Sequence, residues 1–184
     1  MSDEPLRPDP DRLLQHTAAP HRGKLKVFFG ACAGVGKTWA MLAEAQRLRA
    51  QGLDILIGVA ETHGRKETAA MLQGLSTLPP RRLAHRGRYV YEFDLDAALA
   101  RRPALILVDE LAHSNAQGCR HTKRYQDVEE LLQAGINVYT TVNVQHLESL
   151  NDLVSSITGV VVNERIPDYV FDRASQVELV DIAP

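Results

Sequence analysis

The sequence has few of the features that mark specialised protein classes. Its 184 residues include two cysteines, Cys32 and Cys119, whose spacing fits neither a disulfide framework nor a metal site. No apolar run reaches the roughly 18 residues that a membrane-spanning helix needs, and the first residues do not form a signal peptide. The net charge of -2 provides no general attraction to nucleic acid. We therefore expect a cytoplasmic globular protein with no nucleic-acid partner and no membrane contact of its own.

Length and composition fit one folded domain behind a short arm. The hydrophobic fraction of 45% and the charged fraction of 24% are ordinary for a globular protein. Residues 1–23 contain four prolines and scattered charges, which predicts a flexible N-terminal arm, with the domain at residues 24–184. No helix follows the last predicted strand to cover it, so we expect this chain to be a fragment of a longer protein.

Apolar segments alternate with amphipathic segments along most of the chain. Strands are predicted near residues 24–30, 55–60, 104–108, 136–142, 160–162 and 177–180, with a strand or hairpin within 83–93. Helices are predicted near residues 37–51, 66–75, 94–102, 123–134 and 147–158. Such alternation predicts an α/β fold in which a mostly parallel sheet carries helices on both faces.

A glycine-rich loop follows the first predicted strand and ends in Gly36, Lys37 and Thr38. This order is typical of the phosphate-binding loop of P-loop nucleotide-binding proteins. Glycines let backbone N–H groups surround phosphate oxygens, and the helix that begins here directs its positive dipole end at them. We expect Lys37 to reach the β- and γ-phosphates of ATP and the Thr38 hydroxyl to bind Mg²⁺. The other predicted ATP-binding residues of the loop are Ala31, Ala33, Gly34 and Val35.

One position of this loop departs from the strict P-loop pattern. Ala31 stands where the pattern has glycine, and Gly30 precedes it by one residue. We interpret this as a relaxed form in which a small residue suffices. The strand–loop–helix context favours a P-loop NTPase-like fold over a chance match.

Residues 105–110 form the second candidate half of the site, an apolar strand that ends in two carboxylates. This is the form of a Walker B element, in which Asp109 would hold Mg²⁺ through its water shell. Glu110 would act as the general base toward an attacking water. On its own such a run is more often an ordinary strand end, but the P-loop beside it favours the functional interpretation.

Further polar residues follow strands at the same predicted edge of the sheet, where they could sense the γ-phosphate as switch residues do. The candidates are Glu61, His63, Arg65, His113, Arg120 and Gln145, with Asn143 and His146 close by. Residues 118–124 fit equally well a phosphate contact and a solvated helix start. Because residues 113–124 are polar and have few apolar anchors, we expect this segment to be mobile without nucleotide and to report ATP occupancy.

Together these motifs resemble one family, the N-terminal cytoplasmic domain of KdpD, the sensor histidine kinase of the bacterial potassium-uptake two-component system. The resemblance covers residues 20–184. It rests on residues 34–38, 61–65, 107–113, 120–121, 127–132, 140–152 and 158–159. Gln117 and Cys119 depart from the family pattern, which usually has proline and serine there.

The resemblance implies a longer protein, with a universal-stress-protein-like domain, four membrane spans and a dimerisation and ATP-binding kinase core after this chain. It implies a domain on the cytoplasmic side of the bacterial inner membrane. That domain would bind ATP and tune the balance of kinase and phosphatase activity toward the response regulator. The phospho-accepting histidine would lie in the kinase core, so this fragment is not expected to phosphorylate itself on histidine.

Three functions stay open on the sequence. The first is a regulatory ATP-binding module with slow or absent hydrolysis. The second is an ATPase or a kinase in its own right, which the pair Asp109 and Glu110 favours. The third is a docking domain with a vestigial P-loop, against which the intact Lys37, Thr38 and Asp109 argue.

Overall fold

The structure, a computed structural model, describes residues 21–159 and 161–181. Its strands are β1 (Leu25–Gly30), β2 (Ile55–Val59), β3 (Ser76–Thr77), β4 (Arg81–His85), β5 (Arg88–Glu92), β6 (Leu105–Val108), β7 (Asn137–Asn143) and β8 (Gln176–Leu179). Its α-helices are α1 (Lys37–Ala50), α2 (Lys66–Ala70), α3 (Leu95–Arg101), α4 (Arg124–Gln133), α5 (Glu148–Thr158) and α6 (Asp168–Asp172), and a 3₁₀ helix spans Val144–His146. Most of the predicted flexible arm lies outside the described residues, so that expectation stays a prediction.

Six strands form the central sheet in the order β3-β2-β6-β7-β1-β8, and every neighbouring pair is parallel. In a parallel sheet the carboxyl ends of all strands meet at one edge. Because β7 lies between β1 and β6, the loops after these three strands are brought together there. The predicted α/β fold is confirmed.

The two faces of the sheet carry separate hydrophobic cores because side chains alternate along each strand. On one face, α1 packs Met41 and Leu42 against Phe28. On the other face, α3, α4 and α6 cover a core that includes Val27 and Leu131. Each fully buried side chain of this kind contributes about 1.5–3 kcal/mol by its removal from water. The expectation of helices on both faces is therefore confirmed.

The remaining local differences concern short elements. The predicted helix at 66–75 ends at Ala70, and a turn through Gly74 leads into the two-residue strand β3, which the sequence pattern did not predict. Helix α6 was not predicted either. Residues 161 and 162 form no strand, while residue 160 lies outside the described residues. The hairpin of β4 and β5 and the helix cap at Asp94, which accepts a hydrogen bond from the Ala97 amide (3.1 Å), are confirmed.

Candidate functional site

The loop between β1 and α1 owes its shape to three glycines. Gly34 and Gly36 have φ angles of 94° and 97°, in the left-handed region that favours glycine. A Cβ atom on Gly30 would lie 2.7 Å from a Val35 methyl carbon and 2.8 Å from the Val180 carbonyl oxygen. The close-packed position is therefore residue 30, whereas residue 31 is exposed and tolerates alanine. This explains the departure at Ala31.

Lys37 begins α1 and is almost completely buried, with 8% of its surface exposed. Its Nζ donates a hydrogen bond to the backbone carbonyl of Cys32, at 2.7 Å. Among the described residues this ammonium group forms no ion pair, and the carboxylates of Asp109 and Glu110 act on it only through their charge. Burial lowers the pKa of Lys37 and outweighs the charges of Asp109 and Glu110, which act to raise it. The loop thus holds a buried cation that lacks an anionic partner within this part of the chain.

Asp109, at the end of β6, is 1% exposed and accepts hydrogen bonds on both oxygens. Its Oδ2 accepts from the Thr38 hydroxyl and from the Glu61 amide, both at 2.9 Å. Its Oδ1 accepts from the Glu110 amide at 3.1 Å and from the Thr141 hydroxyl. The structure therefore joins Asp109 of the predicted Walker B element directly to Thr38 of the predicted P-loop.

Glu110 differs sharply from its neighbour Asp109. Its backbone φ is 57°, in the left-handed region, and its side chain remains 43% exposed. Burial raises the pKa of Glu110, and the charges of Asp109 and Glu61 raise it further. His63, with a φ of 49°, places its Nε2 3.5 Å from the Glu110 carboxylate. Non-glycine residues in this conformation cost about 1–3 kcal/mol each and cluster at functional sites.

One cleft collects most of the predicted site residues. Arg65 reaches over the loop and donates to the Gly34 carbonyl at 3.3 Å. The predicted residues that line the cleft are Ala33, Gly34, Gly36, Lys37, Thr38, Glu61, His63, Arg65, Asp109, Glu110, His113, Asn143 and His146. The cleft is also lined by Trp39, Thr68, Thr141 and Glu164, which the sequence analysis did not single out. Of these four residues, Trp39 could have been predicted from the sequence, because it directly follows Thr38 of the predicted loop.

Four predicted residues lie outside the lining of this cleft. The Arg120 guanidinium pairs with Asp96 and Glu130 instead. Gln145 lies in the 3₁₀ helix, where its carbonyl accepts a hydrogen bond from Asn151 at 2.8 Å. Ala31 and Val35 belong to the loop but are absent from the cleft wall. The side chains of these four residues do not line the cleft, so the contacts predicted for them with a nucleotide stay predictions.

Polar contacts hold the segment 113–124. Asn115 donates to the His121 carbonyl at 3.0 Å and to Asp127 at 2.7 Å. Lys123 donates to the Ser114 hydroxyl at 2.6 Å, so the segment is closed at its base. The expectation of mobility rested on the polar character of the segment and on its few apolar anchors, and these hydrogen bonds were not predicted. The mobility of this segment without nucleotide, which hydrogen exchange would measure, stays a prediction.

A buried arginine connects this segment to the end of β6. Arg124 is 4% exposed and donates to the Asp109 carbonyl at 3.0 Å. Its guanidinium lies 3.8 Å from buried Glu92, which also binds His113 at 3.1 Å and accepts from the Ala116 amide at 2.8 Å. Burial lowers the pKa of Arg124. The β4–β5 hairpin and the carboxyl end of β6 are therefore joined by one network of contacts.

Comparisons with known proteins show the family to which the chain belongs. A family model described as "KdpD: Osmosensitive K+ channel His kinase sensor domain" matches residues 21–184. The chain belongs to the KdpD sensor-domain family. It is 77% identical to the sensor protein KdpD of Escherichia coli strain K12 over the whole chain and 21% of that relative. It is 54% identical to the sensor protein KdpD of Clostridium acetobutylicum, over 97% of the chain and 20% of the relative.

The KdpD domain described here spans about a fifth of the length of these two relatives. Among solved structures, the Legionella pneumophila ATPase DotB aligns with 85% of the chain and 39% of its own, at a TM-score of 0.41 and 20% identity. Within residues 21–159 and 161–181, no helix is both long enough and apolar enough to cross a membrane.

Proposed function

We propose that this KdpD domain binds Mg-ATP and thereby regulates the potassium-responsive sensor histidine kinase of which it forms part. Its nucleotide state would tune the balance of kinase and phosphatase activity toward the response regulator. The partners are the remaining domains of the longer protein, and the response regulator is reached only indirectly. We place the domain on the cytoplasmic side of the inner membrane. The observation that carries the proposal is the buried, unpaired Lys37 beside the Thr38–Asp109 hydrogen bond.

The loop residues fit a triphosphate. Gly34 and Gly36 adopt left-handed conformations, so their backbone N–H groups can turn toward an anion without interference from a Cβ atom. The start of a 14-residue helix adds its positive dipole end. Lys37 donates to a neutral carbonyl in this structure, and exchange of that partner for a phosphate oxygen gives a stronger, charge-assisted hydrogen bond.

The residues beside the loop fit Mg²⁺. Magnesium prefers oxygen ligands and keeps several of its waters, so it needs only one or two protein ligands beside the phosphates. The Thr38 hydroxyl and the Asp109 carboxylate, 2.9 Å apart, would hold it. Bound Mg²⁺ would offset the charge of the phosphates.

Calorimetric titration of the 184-residue chain with ATP, with and without Mg²⁺, tests this proposal. Lys37→Ala removes a charge-assisted contact and should weaken ATP binding by about 1.5–3 kcal/mol. Lys24→Ala is the matched control, because Lys24 is an exposed lysine just before the opposite end of β1. Equal ATP affinity in the wild type and in Lys37→Ala would refute the site.

ATP hydrolysis by the domain itself is a second candidate function, and Glu110 is the observation that favours it. A carboxylate with a raised pKa, half exposed at the cleft, is a suitable general base. We expect turnover to be slow, since the motifs include no evident arginine finger, and to rise with pH as Glu110 ionises. Glu110→Gln should keep ATP binding and lower turnover about 10²- to 10⁴-fold.

Phosphate release measured on the same samples decides whether Glu110 is the base. Glu148→Gln is the control, since it makes the same chemical change at an exposed glutamate on α5. Equal turnover in the wild type and in Glu110→Gln would remove Glu110 from this role. Binding without detectable turnover in either protein would leave the regulatory module as the function.

A further inference from the structure

Trp39 is the single tryptophan of the chain, and it is unusually exposed for its size. About 48% of its surface is accessible. It is the third residue of α1, directly after Thr38. A large aromatic ring placed in water forgoes the stabilisation that burial would supply. Such a position beside a binding loop points to a ligand that covers the ring.

Trp39 lies between two adjoining clefts. It lines the cleft that contains Lys37, Thr38 and Asp109. It also lines a second, more open cleft between the starts of α1 and α2, whose other lining residues are Gly36, Arg65, Lys66, Glu67 and Thr68. Side chains on an α-helix lean toward its N-terminus, so the indole is directed toward the loop. The proposed phosphate and magnesium residues do not account for this second cleft.

We propose that Trp39 stacks against the nucleobase of the bound nucleotide and that the second cleft holds the base and its ribose. This inference rests on the function proposed above, because it requires the triphosphate to lie on Lys37. A nucleotide has a highly charged end and a flat aromatic end. The first cleft offers a buried ammonium group to the charged end, and the indole face offers the adjoining surface to the flat end.

Other exposed aromatic residues are poorly placed for this role. Tyr89 and Tyr91 lie on the β4–β5 hairpin, and neither lines one of the two clefts. The Arg82 guanidinium also covers the Tyr89 ring, at 4.4 Å from its centroid. Among the exposed aromatic residues that the structure describes, Trp39 is the one at the cleft.

Stacking also defines what kind of selectivity to expect. Every nucleobase has a π-face, so an indole surface binds purines and pyrimidines without reading their hydrogen-bonding edges. Trp39 should therefore raise the affinity for nucleotides above that for inorganic polyphosphate. Its effect on the affinities for adenine and guanine nucleotides should be similar.

The test compares ATP with inorganic tripolyphosphate, both with Mg²⁺, on the 184-residue chain. Trp39→Ala should weaken ATP binding about 5- to 150-fold, the range for loss of one stacked base, and leave tripolyphosphate binding unchanged. Trp39→Phe keeps an aromatic face and should retain most of the ATP affinity. Tyr91→Ala is the control, because it removes an exposed aromatic residue (65%) that lines neither cleft. Circular dichroism verifies that each variant is folded.

Fluorescence gives an independent readout, because all tryptophan emission comes from Trp39. ATP should change this emission with the same midpoint as in calorimetry, and tripolyphosphate should change it much less. Unchanged ATP affinity in Trp39→Ala, or equal losses for ATP and tripolyphosphate, would overturn the stacking role alone. A wild-type chain that binds neither compound would overturn the stacking role and the proposed function together.

Discussion

Lys26 on β1 and Lys37 at the start of α1 are both almost fully buried, at 6% and 8% exposed. Lys26 pairs with Glu44 and with Glu178, the latter at 2.7 Å, and lies 4.8 Å from the centre of the Phe28 ring. Tyr139 completes this region by donating to Glu44 at 2.8 Å. The Lys37 ammonium group donates to the Cys32 carbonyl, and Asp109 and Glu110 act on it only through their charge. Lys26 therefore has carboxylates in direct contact, whereas Lys37 has none among the residues that the structure describes.

The pKa shifts of the two lysines run in opposite directions. Burial acts to lower the pKa of Lys26, but the hydrogen bonds and charges of Glu178 and Glu44 outweigh it and raise the pKa. For Lys37 burial dominates, and the pKa is lowered. A buried charge without a partner destabilises the fold. This contrast indicates that the Lys26 region contributes to stability. For Lys37 no carboxylate among the described residues supplies a direct partner, as we expect of a lysine that binds phosphate in the proposed site.

The largest effect on folding should come from Lys26→Met. This change leaves Glu44 and Glu178 without their cation and should reduce the free energy of unfolding by about 2–4 kcal/mol, because removal of one partner from a buried pair is costly. Urea denaturation measures this loss, with Lys24→Met as the control at an exposed lysine just before the same strand. A loss below that of the control variant would show that the Lys26 cluster is not a stabilising region.

Low pH should reduce the stability that the pair of Lys26 and Glu44 contributes. Burial acts to raise the pKa of Glu44, but the hydrogen bonds from Lys26 and Tyr139 outweigh it and lower the pKa below the ordinary value of 4.5. A lowered pKa in the folded state stabilises the protein above the ordinary value, and this contribution is lost as the pH falls through the folded-state pKa. The gap in unfolding free energy between the wild type and Lys26→Met should therefore narrow below pH 4.5. A constant gap would contradict the pairing.

The smallest effect on folding should come from Lys37→Met. Because this change removes an unpaired charge from a buried position, the free energy of unfolding should stay the same or rise by about 1 kcal/mol at pH 7. The wild type should also gain stability as the pH rises toward 10.5, since the unfolded chain binds more protons there than the folded one. Lys37→Met should lack that gain. A large loss of stability in Lys37→Met would mean that Lys37 supports the fold.

Much of the fold follows from local sequence patterns. Continuous apolar runs such as Leu105–Val108 predict strands that are buried on both faces, and the predicted sheet is correct. The two-residue strand β3 is too short to carry any periodicity. The predicted P-loop and the predicted Walker B element are each contiguous in sequence, so Lys37, Thr38 and Asp109 could be proposed without a structure.

Contacts between distant segments could not be predicted in this way. Lys26 precedes Val27 and Phe28 in a strand, and nothing local indicates that Glu44 and Glu178 will surround it. The same holds for Arg124 and Glu92, which meet because the hairpin returns toward the end of β6. Arg120 lies only four residues before Arg124, yet its side chain pairs with Asp96 and Glu130 instead of lining the cleft. The partner of each of these charged side chains depends on the tertiary structure.

Stabilisation by ATP in the two lysine variants tests the central claim most directly. A ligand that binds only the folded state raises the free energy of unfolding, by about 2.7 kcal/mol at a hundred times its Kd. With Mg-ATP at that excess over the wild-type Kd, urea denaturation should show this increment in the wild type and in Lys26→Met, whose baseline is lower. In Lys37→Met most of the increment should disappear. Equal increments in the two lysine variants would contradict the claim that Lys37, and not Lys26, is held for the nucleotide.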